Sequence, residues 1–288
     1  MLWCTVRVDA TRERPRHVGM RTGSGERKGI DMDERADAEL MRLDGCWLDD
    51  PAIFEEPLHV PISSCDHTGL MTPPAIVDAF QDASTFHADA VGPSGGELAR
   101  AGHGWVLTHW HIVIDRYPRQ GEHLATGTFA TRFRGMLGER SFYIRDAAGA
   151  LPVRAWSSWG FIDVATGRLA RPTPRDIACY ATREALPMPP EARRVAVPAD
   201  ARAADPVRVR RHHIDVNEHM NNCQYVLIAL DLLDPDERPR SIRVDYRRPA
   251  RLGDVVVPSI ARGDGGATVT LTDGDGALYS AVEFGGLR

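Results

Sequence analysis

The sequence has few cysteines, no long apolar run and no excess of positive charge. Its five cysteines, Cys4, Cys46, Cys65, Cys179 and Cys223, are scattered along the chain, and no pair has the spacing of metal ligands. We therefore expect reduced thiols and a cytosol-like compartment. No stretch approaches the roughly 18 apolar residues that a membrane-spanning helix needs, so we expect no membrane span.

The charge balance limits the classes of partner. There are 40 acidic residues against 35 Lys and Arg, which gives a net charge of −5 and argues against a general nucleic-acid-binding protein. Residues 1–7 lack the apolar core of a secretory signal, so we expect a cytoplasmic location. Hydrophobic residues make up 43% of the 288, which is enough for one large domain or two small ones.

Composition divides the chain into four segments. Residues 1–50 are mostly polar and predict a flexible N-terminal extension, with a short helix near 32–43. Residues 51–185 have the pattern of a first folded unit. Residues 186–206 are rich in Pro, Ala and charge, which is typical of a linker. Residues 207–288 then form a second unit.

The two units share one order of elements. In the first, Thr72 and Pro73 predict the start of a helix, and Gly92-Pro93 predicts its end. In the second, a strand is expected at 207–214 and a helix at 221–233. The other predicted strands are 58–62, 105–115, 123–133, 140–145 and 153–163 in the first unit, and 241–246, 255–261, 267–271 and 278–284 in the second.

Three short matches in the same order indicate an internal duplication. The turns at 118–122 and 146–151 resemble those at 249–254 and 273–278, and Asp66 and Asp215 both stand between a strand and a helix. The predicted fold class is α+β. It consists of two hotdog units in tandem, each an antiparallel sheet wrapped around a long helix, with the two sheets covering each other's edges.

The densest polar cluster lies at residues 212–222, before the second helix. Asp215, Asn217 and His219 alternate, so an extended backbone would place them on one face. The His219 imidazole can transfer a proton near neutral pH, and the Asp215 carboxylate can orient the imidazole or act as a base. The Asn217 amide can hold a water molecule or a carbonyl oxygen by hydrogen bonds. Asn221 and Asn222 supply cap chemistry at a helix N-terminus that favours an oxyanion. These groups suit addition of water to an acyl carbonyl.

Other interpretations of the cluster remain open. Asp215 and Asn217 can simply cap a helix while His219 packs. A metal site with His212 and His213 is disfavoured because adjacent strand residues point to opposite faces. A cysteine nucleophile at Cys223 or Cys65 lacks an adjacent base, so both are expected to be structural. We therefore predict no metal and no cofactor.

The first unit lacks the corresponding amide and imidazole side chains. Aligned on Asp66, it has Thr68 in place of Asn217 and Leu70 in place of His219. The chemistry is therefore assigned to the second unit and the accommodation of an acyl chain mainly to the first.

Residues 57–285 resemble the acyl-acyl-carrier-protein (acyl-ACP) thioesterases of fatty-acid synthesis. The segments that carry the resemblance, in family order, are 105–108, 114–118, 154–159, 168–172, 215–222 and 244–248. The resemblance implies a tandem hotdog fold, hydrolysis of acyl-ACP to free fatty acid, and catalytic roles for Asp215, Asn217 and His219. It also implies a partner, an acyl carrier protein bearing a fatty acyl chain.

Two departures from the family pattern matter. Plant-type members carry Glu-Cys where this sequence has Pro249-Ala250, so the water-activating carboxylate would be Asp215 or another acid such as Asp245. Phe129 stands where a Trp is usual. The rivals are an acyl-CoA thioesterase on the same fold and a non-catalytic acyl-binding hotdog protein.

A local basic surplus offers a surface for an acidic carrier. Residues 132–175 contain eight Arg against three acids, Glu139, Asp146 and Asp163. A solvated strand surface explains the same surplus equally well. Because duplication supplies within one chain the hotdog pair that simpler proteins form by dimerising, the expected state is a monomer or a homodimer.

Overall fold

The computed structural model describes residues 50, 52–192 and 194–287. The predicted extension 1–50, including the helix expected near 32–43, lies outside the described residues except for Asp50. The described α-helices are α1 (Pro73–Val91), α2 (Gly95–Arg100), α3 (Pro174–Ile177) and α4 (Asn222–Leu230). The described strands are β1 (Phe54–His59), β2 (His103–Ile114), β3 (His123–Arg134), β4 (Leu137–Arg145), β5 (Val153–Asp163), β6 (Arg168–Leu169), β7 (Arg202–Ala203), β8 (Val207–Arg208), β9 (Ser241–Tyr246), β10 (Val255–Gly263), β11 (Gly266–Thr272) and β12 (Leu278–Gly285).

The twelve strands of the described residues form one antiparallel sheet. Its main path runs β1-β3-β4-β5-β2 through the first unit and β9-β12-β11-β10-β7 through the second. The units join where β2 pairs with β9, from His109 opposite Asp245 to Val113 opposite Ser241. Each unit thus covers an edge that would otherwise expose unpaired backbone groups. The tandem hotdog prediction is confirmed.

Helix α1 begins and ends where the sequence predicts. The Thr72 hydroxyl accepts a hydrogen bond from the Ala75 amide at 3.4 Å, and Gly92 follows the last turn. The apolar face of α1 packs on the inner face of the sheet, where Phe80 lies 5.3 Å from Phe142 between ring centroids. Full burial of such a ring stabilises the fold by about 1.5–3 kcal/mol.

The second unit departs from the prediction at two elements. Helix α4 has nine residues against nineteen in α1, so the second helix is not long. The strand expected at 207–214 is wrong beyond Arg208, because the chain turns into a single 3₁₀ turn at Arg211–His213. There the His213 ring nitrogen accepts the Arg210 amide at 3.1 Å, a local bond that replaces strand pairing.

The duplicated loops share their backbone hydrogen bonds. The Asp66 amide donates to the Leu70 carbonyl at 2.9 Å, and the Asp215 amide donates to the His219 carbonyl at the same distance. Each loop is also tied to a distant turn. The amides of Met71 and Met220 donate at 2.8 Å to the carbonyls of Pro118 and Ala250, respectively. This correspondence supports the duplication inferred from sequence.

The segment predicted as a linker is fastened to the sheet. The Glu191 carboxylate lies 3.3 Å from His109 and 3.2 Å from His111, and it also pairs with Arg243. These partners stand on β2 and β9, across the junction of the units. The boundaries 51–185, 186–206 and 207–288 stay a prediction. No helix among the described residues is long and apolar enough to cross a membrane.

Candidate active site

The polar loop before α4 is a tight turn and not an extended strand. Besides the bond from Asp215 to His219, the Glu218 amide donates to the Asp215 carbonyl at 3.1 Å, and Glu218 has a φ of +61°. An antiparallel bridge joins Ile214 to Met220. The premise of an extended backbone is therefore wrong. Asp215 and His219 are brought together across a turn.

The turn separates inward from outward residues. His219 is only 6% exposed, and Asp215 and Asn217 are half-buried, whereas Val216 is 76% exposed and Glu218 is exposed. The Asp215 carboxylate accepts the Asn217 amide at 2.8 Å, which fixes its orientation. The three residues chosen from sequence therefore lie on one loop. Their catalytic roles stay a prediction.

Burial, together with the positive charge of Arg251, lowers the pKa of His219, while the charges of Asp215 and Glu218 oppose this effect. The imidazole is therefore neutral near pH 7 and can accept a proton. The Asp215 charge would stabilise the imidazolium that results.

The start of α4 is clamped to α1 of the first unit. The Asn221 side chain caps α4 by accepting the Cys223 amide at 3.0 Å, and it also accepts the Gln81 amide group at 3.1 Å. The Asn222 side chain donates to the other end of Gln81 at 2.6 Å. One glutamine thus ties both asparagines to the facing helix, so the loop lies at the seam between the two units.

Asp78 is a candidate that the sequence analysis missed. It stands one turn before Gln81, whose side chain reaches it at 3.4 Å, and it is hydrogen bonded to the Cys223 thiol. Burial and the nearby Asp82 charge raise the pKa of Asp78, although its hydrogen bonds oppose the shift. A carboxylate with a raised pKa at the seam is suited to exchange protons. The polar face of α1 could have indicated Asp78 in the sequence. A search that considers only the apolar positions of this helix does not find it.

Asp245, considered above as an alternative acid, lies elsewhere. It points away from α4 and binds His109 at 2.7 Å and Arg247 at 2.5 Å. Its neighbour Tyr246 points to the opposite face, where its hydroxyl donates to the Asn222 carbonyl at 3.0 Å. Asp245 therefore belongs to the same ion-pair cluster as His109 and Glu191, and it cannot reach the loop.

The Pro249-Ala250 pair lies directly beside the loop. Ala250 is fully buried, its carbonyl accepts the Met220 amide, and its own amide donates to the Tyr225 hydroxyl at 2.8 Å. This position supports the loop through its backbone and brings no carboxylate to it.

Neither cysteine weighed above has an activated thiol. Burial raises the pKa of Cys223, and burial and the Asp66 charge raise that of Cys65. Within the described part of the chain, no group of three or more His, Cys, Asp or Glu side chains could hold a metal ion.

In the first unit, the carboxylate that corresponds to Asp215 is Asp66, and it is bound by other side chains. Asp66 accepts Arg238 at 2.7 Å and the Thr68 hydroxyl at 2.6 Å. Although burial opposes it, these contacts and the Leu70 amide lower the pKa of Asp66. The first loop therefore has the backbone of the second without a carboxylate available for catalysis.

A cavity of about 150 Å³ lies in the first unit beside α1. Small residues and aromatic rings make up most of its wall, and one buried cation, Arg140, lies among them. The lining residues are Ser84, Thr85, Ala88, Gly95, Leu98, Gly104, Trp105, Phe133, Gly138, Glu139, Arg140, Trp159 and Tyr180.

The basic surplus at 132–175 is smaller on the surface than in the sequence. Arg140 is buried, Arg145 is paired with Glu55, and Arg154 is paired with Asp115. The arginines of this stretch that stay exposed are Arg132, Arg134, Arg168, Arg171 and Arg175.

Both units match known protein families. Residues 51–180 match the acyl-ACP thioesterase N-terminal domain, and residues 198–272 match the acyl-ACP thioesterase C-terminal domain. The two domains follow each other here in the order that their names imply.

Plant proteins are similar along most of the chain. An oleoyl-ACP thioesterase of Arabidopsis thaliana, named chloroplastic, is 27% identical over 247 residues, which cover 76% of this chain and 66% of the relative. One from Coriandrum sativum is 27% identical over 263 residues, covering 80% of this chain and 69% of the relative. An acyl-ACP hydrolase from Cuphea viscosissima is matched over 52% of its length. The chain thus spans about half to two thirds of these relatives.

Solved structures share the fold. An acyl-ACP thioesterase from Bacteroides thetaiotaomicron has a TM-score of 0.76 at 20% identity, over 82% of this chain and 98% of that one. The 12:0-ACP thioesterase from Umbellularia californica has a TM-score of 0.74 at 19% identity, over 83% of this chain and 98% of that one. With both domains matched in order and the tandem hotdog fold present, this chain belongs to the acyl-ACP thioesterase family.

Proposed function

We propose that this protein hydrolyses acyl-ACP thioesters to free fatty acids. The observation that carries the proposal is the position of the Asp215–His219 loop. It lies at the N-terminus of α4, is clamped through Gln81 to the facing helix, and a largely apolar cavity follows farther along that helix. A reacting carbonyl and an acyl chain can then be held at one seam.

In the proposed reaction, His219 is the proton acceptor. A water oxygen attacks the thioester carbonyl carbon as its proton passes to the neutral imidazole, and Asp215 stabilises the resulting charge. Asn217 orients the water, and the positive end of the α4 dipole stabilises the oxyanion. The intermediate collapses, the C–S bond breaks, and the proton returns to the carrier thiol. The fatty acid leaves as the second product.

Asp78 is proposed as a second carboxylate of the site. The family's glutamate position is occupied here by Pro249, and Asp78 approaches the same seam from α1 through Gln81 and Cys223. A raised pKa suits it to exchange a proton with the attacking water or the leaving thiol.

Substitution in the loop tests this function. We expect His219→Ala and Asp215→Ala each to lower kcat for acyl-ACP by at least about 100-fold, the usual contribution of acid–base groups. His212→Ala is the matched control, since His212 is an exposed histidine of the same segment. Circular dichroism would check that each variant stays folded. Full activity in both loop variants would refute the assignment.

The same assay separates the two rival functions. Faster turnover of an acyl-CoA than of an acyl-ACP of equal chain length would indicate an acyl-CoA thioesterase. Tight retention of the acyl ligand without release of thiol would indicate a non-catalytic binding protein. Pro249-Ala250 motivates this measurement, because it replaces the Glu-Cys pair of plant-type members. The cytoplasmic location and the monomeric or homodimeric state stay predictions.

A further inference from the structure

The cavity of the first unit lies farther along α1 than the residue that contacts the proposed site. Gln81 contacts the start of α4, while Ser84, Thr85 and Ala88 of the same helix line the cavity. At 1.5 Å of rise per residue, the cavity wall begins about 5 Å beyond Gln81 and reaches about 10 Å beyond it. If the thioester lies at the loop, as the proposed function requires, the cavity receives the distal part of the acyl chain.

Arg140 makes this cavity unlike a simple hydrocarbon site. The residue is only 9% exposed and is among those that line the cavity. Its guanidinium donates to the His87 ring at 2.5 Å and to the Thr128 hydroxyl at 3.2 Å. It also lies 5.7 Å from the centroid of the Tyr180 ring.

The Arg140 charge has no anionic counterpart within the described ranges 50, 52–192 and 194–287. No carboxylate there lies within 4.0 Å of it, and the adjacent Glu139 is paired with Arg132 at 2.6 Å. Burial lowers the pKa of Arg140 to about 10, so it stays charged at neutral pH. Burial and the Arg140 charge lower the pKa of His87 to about 4, so the imidazole is neutral. Of the two charged residues in the cavity lining, Glu139 is thus neutralised by Arg132, and Arg140 has no ion-pair partner among the described residues.

Other buried arginines of this protein form ion pairs with carboxylates. Arg145 and Arg154, each with a side chain 13% exposed, pair with Glu55 and Asp115, and Arg243, 9% exposed, pairs with Glu283. Leaving a buried charge without such a partner is costly. A hydrocarbon tail would gain nothing from the cation and would keep it from water. A ligand anion would supply the missing partner.

We propose that this cavity accepts the far end of an acyl chain that terminates in a carboxylate, and that Arg140 is the residue that recognises it. The substrate class is then the ω-carboxyacyl thioester, a half-acid chain carried on the acyl carrier. This inference rests on the proposed function for the position of the thioester. It adds the chemistry of the distal end.

The test compares two carrier-bound substrates of equal chain length, one ending in a methyl group and the other in a carboxylate. We expect the wild type to have the higher kcat/KM for the carboxylate-ended substrate. Arg140→Met, which keeps the length of the side chain and removes its charge, should lower that preference by about 10- to 100-fold, as loss of a hydrogen bond to a charged group implies. Arg145→Met, on the same strand but outside the cavity, should leave the preference unchanged.

A binding measurement separates this inference from the proposed function and does not depend on turnover. Trp105 and Trp159 line the cavity, so their fluorescence should report binding of free acids to the wild type. A dicarboxylic acid should bind at least tenfold more tightly than the monocarboxylic acid of equal length. Equal binding of the two acids, or equal preference in wild type and folded Arg140→Met, would overturn the inference while hydrolysis of methyl-ended substrates could stand. Selective diacid binding without any hydrolysis would support it and refute the proposed function.

Discussion

Glu191 should hold the segment between the units against the sheet, and this can be tested by removing its charge. The carboxylate contacts His109, His111 and Arg243 at once, and its side chain is only 18% exposed. Burial alone would raise the pKa of Glu191, but these partners lower it to about 2. The Glu191→Gln variant keeps the shape of the side chain and removes the anion.

The magnitude follows from the pKa. A fall from 4.5 to about 2 corresponds to about 3 kcal/mol of stability at neutral pH, because one pKa unit is worth about 1.36 kcal/mol. A group with a lowered pKa stabilises the fold above its unfolded value and loses this effect as the pH falls through its folded value. The contribution of Glu191 should therefore be complete above about pH 5 and shrink to about 1–2 kcal/mol at pH 3.

The assay is unfolding of wild type and Glu191→Gln at pH 7 and pH 3, by denaturant for the free energy of unfolding and by heat for the Tm. At pH 7 the variant should be less stable by about 3 kcal/mol, with a Tm lower by about 6–12 °C. Glu184→Gln is the matched control, since Glu184 is an exposed acid just ahead of the same segment. An equal loss of stability at both pH values would refute the electrostatic reasoning, because it would show that the shape of the side chain matters and its charge does not.

Three further predictions concern catalysis and docking. Asp78→Asn should lower kcat for acyl-ACP by about 100-fold and remove one ionisation from the pH–rate profile, and an unchanged profile would exclude Asp78 as a proton carrier. Gln81→Leu should lower the free energy of unfolding by about 1–3 kcal/mol and should also lower kcat, because it removes both hydrogen bonds to the start of α4. A wild-type kcat in this variant would show that these bonds do not position the loop. Arg134→Glu with Arg168→Glu should raise KM severalfold for acyl-ACP and less for acyl-CoA, and equal effects on both would argue against a carrier surface there.

Most of the fold could be predicted from sequence because its signals are local. Thr72-Pro73 and Gly92-Pro93 mark the ends of α1 through cap and backbone chemistry that acts within a few residues. Strands β9 to β12 were predicted within about two residues at each end because turn residues separate them. The strand expected at 207–214 failed because its alternating pattern competed with a local hydrogen bond between Arg210 and His213, which no periodicity reveals.

The site was harder to predict because its parts come from distant segments. Asp215, Asn217 and His219 are close in sequence and could be found together. Asp78 is separated from them by more than 130 residues and reaches the seam only because the two sheets join edge to edge. In the sequence, its place on the polar face of α1 is shared with ordinary exposed acids of a helix, and only the approach of α4 sets it apart.

The two loops show how duplication permits division of roles. Asp66 and Asp215 occupy the same position in the same backbone turn, yet Arg238 from the second unit binds Asp66. A carboxylate held by an arginine and by hydroxyl and amide donors is stabilised as an anion and is a poor base. The first unit has an aromatic-walled cavity beside its longer helix. The proposed site therefore needs both units: the second supplies the Asp215–His219 loop, and the first supplies the helix against which that loop is fixed.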